Sequence, residues 1–545
     1  MKDRSRRLAS LAVVLGSVAV LAAAPATRAS APGEAPEAAS GHAFVDPGAL
    51  RSPSPGAPLR VPLRTPTGPA QAAPKVSGPG PVAAAPGGSD DSPRPRCPAP
   101  CFGTTFDAIG NVDFLSPGDP TGAGGDAHVV TAVNSSLAVY SKTGVEEVAP
   151  VDIGSLVPGP LAFSFDPKVV YDQYTDTYVL AFVGVDEIAF PITSRIYLVS
   201  IPDATAATPA TWCGSWVRAD QGGQGKQVAD FPGLGYDEDR VYVATNQFGQ
   251  GWFDYFGAQI LAFDKTDLYD CTAPLGWTAF STDDTRSPDG RKAQSLQVAT
   301  SVGPAPRGFF LGFDTKCPGF FSCVGSRLTL FRVKDGGAGL KLTVTTIAVP
   351  MAEMTLGTQK GAPLSDPDSE WDVGDLRLGN AFYDGDLKRL YGGHAVAKDL
   401  DPGDGYVEAV GRWYEVEPMG ALKSSTVTRR GNVGEPLKDA GWPAVATDSL
   451  GNVFMTFSRA SGVAGAKEYL GAWATLIEPG KKSSEELIQF GFGSSLYAPF
   501  SGPQRWGDYN AINRDPTDGT VVWMVNQYAA SMDDFQQVVT SIFDL

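Results

Sequence analysis

Five residues in this chain have the types and positions to do chemistry together: Asp230, Arg377, Trp442, Arg505 and Asp508. Each lies just ahead of a run that reads as a β-hairpin. Carboxylates orient hydroxyls or pass protons, guanidinium groups fix polar partners, and an indole face stacks on a sugar ring. Brought to one place, the five would make a site for an extracellular glycan or peptide. Two of them, Asp230 and Asp508, would suit glycoside hydrolysis if their carboxyl groups stood about 5 to 10 Å apart. No G-x-S-x-G elbow occurs, and His128 and His394 lie in or near strand-like runs without a triad context. Binding or scaffolding without catalysis is therefore the expected activity, with a glycoside hydrolase using carboxylates at this site as the alternative.

A second kind of chemistry is suggested by LSDPDSEWDVGD. Asp366, Asp368, Glu370 and Asp372 alternate oxygen ligands along a short loop, which suits a hard cation such as calcium. The loop KDLDPGDGYVE, with Asp399, Asp401 and Asp404, is a weaker version. A solvated acidic loop explains both equally simply.

The elements that must hold these residues come from a repeat. DFPGLGYDEDRVYVATNQF turns at Asp237 between two β-forming runs, and similar hairpins turn at Asp172, Asp384, Asp448 and Asp515. GAGGDAHVVTAVNSS is a degenerate copy at Asp126, and SLQVATSVGPAPRGFFLGFD a copy whose Asp has become Thr300 or Ser301. The spacing is roughly 65 residues, with one short unit, which makes about seven units. Third and fourth strand-like runs follow most hairpins, such as AQILAFDK and WTAFST. The expected fold is all-β, a seven-bladed β-propeller over 101–545. The last unit runs out after QVVTSIFDL, so FGTTFDAI, from Phe102, is expected to supply its missing strand and close the ring.

Ahead of the repeats, Lys2, Arg4, Arg6 and Arg7 precede the apolar run LASLAVVLGSVAVLAAA and small residues, an export signal over 1–31. Residues 32–100 are rich in Pro, Ala, Gly and Ser and read as a disordered linker. No later stretch is apolar and long enough to span a bilayer, and a net charge of −17 argues against nucleic acid as a partner. The chain is expected to be a monomer, secreted or attached to the cell surface. Its six cysteines then imply disulfides. Proximity pairs Cys97 with Cys101 and Cys317 with Cys323. The one-repeat spacing of Cys213 and Cys271 pairs them across neighbouring units. The three histidines have no ligand spacing to the cysteines, which disfavours zinc.

The hairpins, the NQF and NQY runs at Asn246 and Asn526, and the segment WGDYNAINRDPTDGT together resemble bacterial secreted propellers of the sialidase-like class. The resemblance spans about 101–545 and implies the propeller fold. TDSLGNVFMTF and DPTDGTVVW share the turn logic of the sialidase Asp-box S-x-D-x-G-x-x-W without meeting its pattern. No local motif matches the arginine triad or the Tyr/Glu pair of sialidases, so none of those roles is transferred.

Overall fold

The computed structural model describes residues 40–52, 100–112, 114–159, 161–186, 192–221, 227–250, 254–317, 322–418 and 425–544. The expected export segment and Cys97 lie outside them. Among the described residues, apart from short 3-10 turns and one five-residue helix, Lys265–Tyr269, the regular structure is β-strand.

Seven strands organise the rest. They are β1 (Thr121–Gly124), β2 (Phe163–Asp172), β3 (Gln227–Tyr236), β4 (Gln297–Val302), β5 (Asn380–Asp384), β6 (Asp439–Thr447) and β7 (Ala511–Arg514). Each leads an antiparallel meander running outward, and β4 also pairs in parallel with β5, from Ala299↔Ala381 to Val302↔Asp384. Each leading strand touches the next, and β7 returns to β1, so the strands form a closed cycle. An all-β ring of radiating antiparallel sheets is a β-propeller. Side-chain amides help tie neighbours: Asn380 exchanges two hydrogen bonds with the Val445 backbone (2.8 and 2.9 Å), and Asn513 two with Gly124 (3.0 and 2.8 Å).

The meander begun by β7 continues through Val521–Ala529 and Phe535–Phe543, and its fourth strand comes from the far end of the sequence, Cys101–Gly110. Cys101 faces Phe543 and Phe106 faces Val539 in antiparallel register. This pairing removes an edge that would otherwise expose unpaired N–H and C=O groups.

The recurring turn aspartates work as expected from their type. Asp237 Oδ1 accepts from the N–H groups of Asp239 and Arg240 at 2.9 and 2.8 Å, while Oδ2 accepts from the Tyr242 hydroxyl. Asp384 accepts from the N–H groups of Asp386 and Leu387, Asp448 from those of Leu450 and Asn452, and Asp515 from those of Thr517 and Asp518. Only the degenerate copy departs: Asp126 is exposed, and Asp203 from the next sheet takes the Ala127 N–H at 2.9 Å instead.

Cys213–Cys271 joins the second sheet to the segment after the helix of the third, and Cys317–Cys323 closes a short loop. Cys101 is also disulfide-bonded, and its expected partner Cys97 falls outside the described residues. One departure concerns the segment read as a featureless linker. Ser40–Phe44 forms a fifth strand on the outer edge of the second sheet, pairing with Cys213–Val217, and Val45 is buried. The Pro/Ala/Gly bias of the flanking sequence hid a five-residue strand that gains stability only from a waiting edge. No helix among the described residues is long and apolar enough to cross a membrane.

Candidate active site

Residues at and just ahead of the starts of the leading strands converge at one mouth of the ring, held there by a repeated distortion. β2, β3 and β6 each shift register near their start, between Phe165 and Lys168, Asp230 and Gly233, and Gly441 and Ala444. Each bulge contains an X-Pro pair, Asp166-Pro167, Phe231-Pro232 or Trp442-Pro443, whose first residue has φ of 54°, 51° and 51°. Asp119, before Pro120, has φ of 51° as well. Large non-glycine side chains rarely adopt this left-handed backbone, and proline normally pushes its predecessor toward extended geometry. Backbone strain of this kind tends to gather at functional sites.

Ion pairs then link the side chains. Arg377 clasps Asp375 through Nε and Nη2 at 2.6 and 2.7 Å and reaches Asp508 at 3.5 Å. Arg505 donates to the other Asp508 oxygen at 2.6 Å. Beneath them the Asp508 N–H donates to Asp119 at 2.8 Å, and Asn134 bridges onward. Its amide nitrogen donates to Asp119 at 2.8 Å, and its oxygen accepts from the Asp166 N–H at 3.0 Å. Asp166 in turn accepts from the Phe231 N–H at 3.0 Å. Lys168 lies buried with its ammonium 3.3 Å from the centre of the Tyr509 ring, and Tyr509 donates to the Pro167 carbonyl.

The carboxyl groups divide into two electrostatic classes. Burial raises Asp508, but Arg505 and Arg377 outweigh it and hold the group below its ordinary value. Asp375 is likewise held down, because Arg377 more than offsets its desolvation. The others move the opposite way. Burial and the Asp508 charge push Asp119 to about 7, and burial with Asp375 and Asp508 pushes Asp372 to about 6. Asp166 rises well above the carboxylate range through burial and the neighbouring Asp230. Asp230 is itself raised, chiefly by burial, against the pull of Arg377. Burial depresses Lys168 to about 7 despite the carboxylates around it.

Of the five residues anticipated at the mouth, Arg377, Arg505 and Asp508 are thus brought together, and Asp230 lies in the field of Arg377, Asp508 and Arg505. Trp442 requires correction. Its side chain is 2% exposed and its Nε1–H donates to the Asp372 carbonyl at 2.8 Å, so it offers no stacking face. The positive φ at Trp442 goes with a ring packed in the core beside Trp371 and Val373. Asp439, the first residue of β6, is buried and accepts from Thr358, Tyr406 and Ala409. Sequence reading missed Asp119, Asp166, Lys168, Asn134 and Tyr509. The recurrent Asp-Pro and aromatic-Pro pairs at the starts of the leading strands were the signal that could have found them.

The acidic insertion has a different role from the one expected. Asp366 caps a 3-10 turn by accepting from Asp368 N–H, Asp368 accepts from Gly502 N–H, and Asp372 from Gly374 N–H. Glu370 lies in a short strand whose backbone pairs with Leu356–Thr358, and its carbonyl accepts from Gln504 N–H. These four carboxylates do not converge on a point. Among the described residues, the one group of three potential ligands lying within 4.8 Å of one another is His42 with Cys213 and Cys271, and those cysteines form a disulfide. Backbone N–H groups thus engage Asp366, Asp368 and Asp372, and the insertion's backbone pairing carries Asp372, Asp375 and Arg377 to the mouth.

No family model matches the chain, and no curated protein does. Solved structures show distant likenesses. A GH43 endo-arabinanase from Bacillus licheniformis is 16% identical over 55% of this chain and 93% of its own, with a TM-score of 0.27. Trypanosoma rangeli sialidase in complex with the inhibitor DANA is 10% identical over 81% and 60%, with a TM-score of 0.37. The GH93 α-L-arabinofuranosidase of Fusarium graminearum is 11% identical over 58% and 93%, with a TM-score of 0.31. At TM-scores this low, the likenesses decide neither the fold nor the reaction.

Proposed function

We propose that this is a secreted, seven-bladed propeller whose mouth hydrolyses an extracellular glycan. The observation that carries the reading is the split among neighbouring carboxyl groups: Asp375 and Asp508 are held ionised by arginines, while Asp166 and Asp230 are biased toward the protonated form. Opposed displacements of this kind separate an acid from a base on one surface. In the proposed reaction Asp230 gives its proton to the leaving glycosidic oxygen as the bond to the anomeric carbon breaks. Water adds to that carbon, and its proton passes to Asp375, whose side chain is 33% exposed. Asp508 lies deeper and fixes the two arginines. The export signal and the disulfides support an extracellular setting.

The aromatic residues favour catalysis over lectin-like capture. Phe231, Trp442, Trp506 and Tyr509 at the mouth are all buried, so they present no flat stacking rim there. One observation supports the non-catalytic reading: Arg377 and Arg505 are already engaged by Asp375 and Asp508. A panel of chromogenic aryl glycosides decides between the two. Turnover by the wild type that falls at least about a hundred-fold in Asp230→Asn and in Asp375→Asn supports hydrolysis. Absence of turnover across the panel, or turnover unchanged in both variants, returns the mouth to a binding role.

A further inference from the structure

Beside the mouth, between the third and fourth sheets, lies a small open cleft of about 180 Å³, below the roughly 300–1,000 Å³ of drug-sized sites and suited to a single ring rather than a larger ligand. It shares Asp375 and Arg377 with the mouth and extends from them past Asn246, Phe248, Tyr255 and Thr315. We propose that it is a subsite for an uncharged sugar ring, so that the substrate is a neutral oligosaccharide spanning cleft and mouth. The inference rests on the glycan reading above and adds the class of glycan and the direction in which it runs.

Three features of the walls support this. The rings of Phe248 and Tyr255 are half-buried and meet at 5.2 Å, giving an apolar surface for the C–H face of a sugar. Their setting is fixed beforehand. The Tyr255 hydroxyl donates to the Ala293 carbonyl at 2.5 Å, and the neighbouring Asn246 Oδ1, 3.2 Å from that hydroxyl, accepts from Ser295 N–H at 2.7 Å. The opposite wall carries the Gln294 amide and the Thr315 hydroxyl, which bond to each other and lie where ring hydroxyls could exchange with them.

Charge sets the class of ligand. The cationic group of the cleft, Arg377, is already matched by Asp375 on its Nε and Nη2 and by Asp508 on its Nη1. Beyond it the mouth holds Asp119, Asp166, Asp230 and Asp372 against Arg505 and Lys168. A carboxylated or sulfated sugar would meet arginines already matched by Asp375 and Asp508, whereas hydroxyls can donate to those two carboxylates without repulsion.

Calorimetric titration of the full chain with cello-, xylo- and arabino-oligosaccharides of two and four sugars tests the subsite, with 3′-sialyllactose as the anionic probe. Affinity should rise with length for one neutral series. Phe248→Ala should remove roughly ten-fold of that gain, the scale of one lost aromatic contact. Thr315→Phe, which fills the cleft without removing a ring, should remove it too, and thermal melts would show that both variants fold. The inference is overturned if both variants bind the four-sugar probe like the wild type, if the sialylated probe binds best, or if no neutral probe binds. Wild-type turnover of aryl monoglycosides, which do not need the cleft, tests hydrolysis separately: length-dependent binding without turnover would sink the hydrolytic reading and leave the subsite standing.

Discussion

The Nδ1 of His394 lies 2.9 Å from the carbonyl oxygen of Leu376, the residue immediately before Arg377. A carbonyl can only accept, so Nδ1 carries the proton, and Nε2 takes the Tyr414 hydroxyl at 3.0 Å. Leu376 has φ of 71°, and this buried bond fastens the unusual backbone that presents the mouth arginine. The one fully buried histidine of the fold thus acts on the site through a peptide group.

Acid should expose this arrangement. Burial lowers His394 from 6.5 to about 3, so folding favours the neutral ring. Its contribution is then fully present above about pH 6.5 and is lost as pH falls toward 3, by an amount on the order of a few kcal/mol. Asp372 and Asp439, both raised to about 6, run the other way and lose their contribution as pH rises through that value. Urea midpoints of wild type and His394→Gln should therefore converge as pH drops from 6.5 to 3. Parallel profiles would show that the histidine does not titrate with unfolding.

Removing a turn aspartate should cost stability in proportion to what it holds. Asp448 is fully buried and accepts two backbone N–H bonds and one from the Asn452 amide. Asp448→Ala should cost about 1–3 kcal/mol, since it strands buried donors. Asp126→Ala, in the exposed degenerate turn, should fall within about 0.5 kcal/mol of wild type. Equal melting shifts for the two would contradict the assignment.

Closure of the ring by its ends predicts unequal truncations. A chain starting at Pro100 keeps Cys101–Gly110, whereas one starting at Asn111 leaves Phe535–Phe543 as an open edge. The shorter chain should unfold at lower denaturant and aggregate more readily. Matching midpoints and solubility would mean the added strand is dispensable.

The fold was legible because its signal repeats. Asp237, Asp384, Asp448 and Asp515 announce their turns locally, and the backbone N–H groups they accept from lie only two to four positions along the chain. The mouth was less legible because its chemistry depends on contacts such as Asp508 with Asp119, which lie 389 residues apart. Burial also reassigned residues of the right type. Trp442 stands where a mouth residue was expected, yet it and Asp439 of the same strand face the core, because the insertion packs across the meander begun by β6 and supplies Asp372 and Asp375 at the mouth. A linear sequence shows the acidity of that insertion but not the Gln504 backbone to which it is pinned.

The disulfide between Cys213 and Cys271 should matter for stability across the ring. It joins residues 58 apart in sequence, for which the chain-entropy account gives a contribution of about 4 kcal/mol. The Cys213→Ser, Cys271→Ser double variant should melt well below wild type, and mild reduction of the wild type should reproduce the shift. A melting point unmoved by either treatment would place the stability of this seam in side-chain packing alone.

Because Cys101 faces Phe543 across one strand pair, the start and finish of the ring lie side by side, and the cycle of sheets has no built-in first member. Where the polypeptide begins is then a matter of genetic order rather than of architecture. A circularly permuted chain, opened at the exposed turn around Gly480 and joined from 544 to 100, would keep the pairing of Cys101–Gly110 with Phe535–Phe543 and give up only the outer strand Ser40–Phe44.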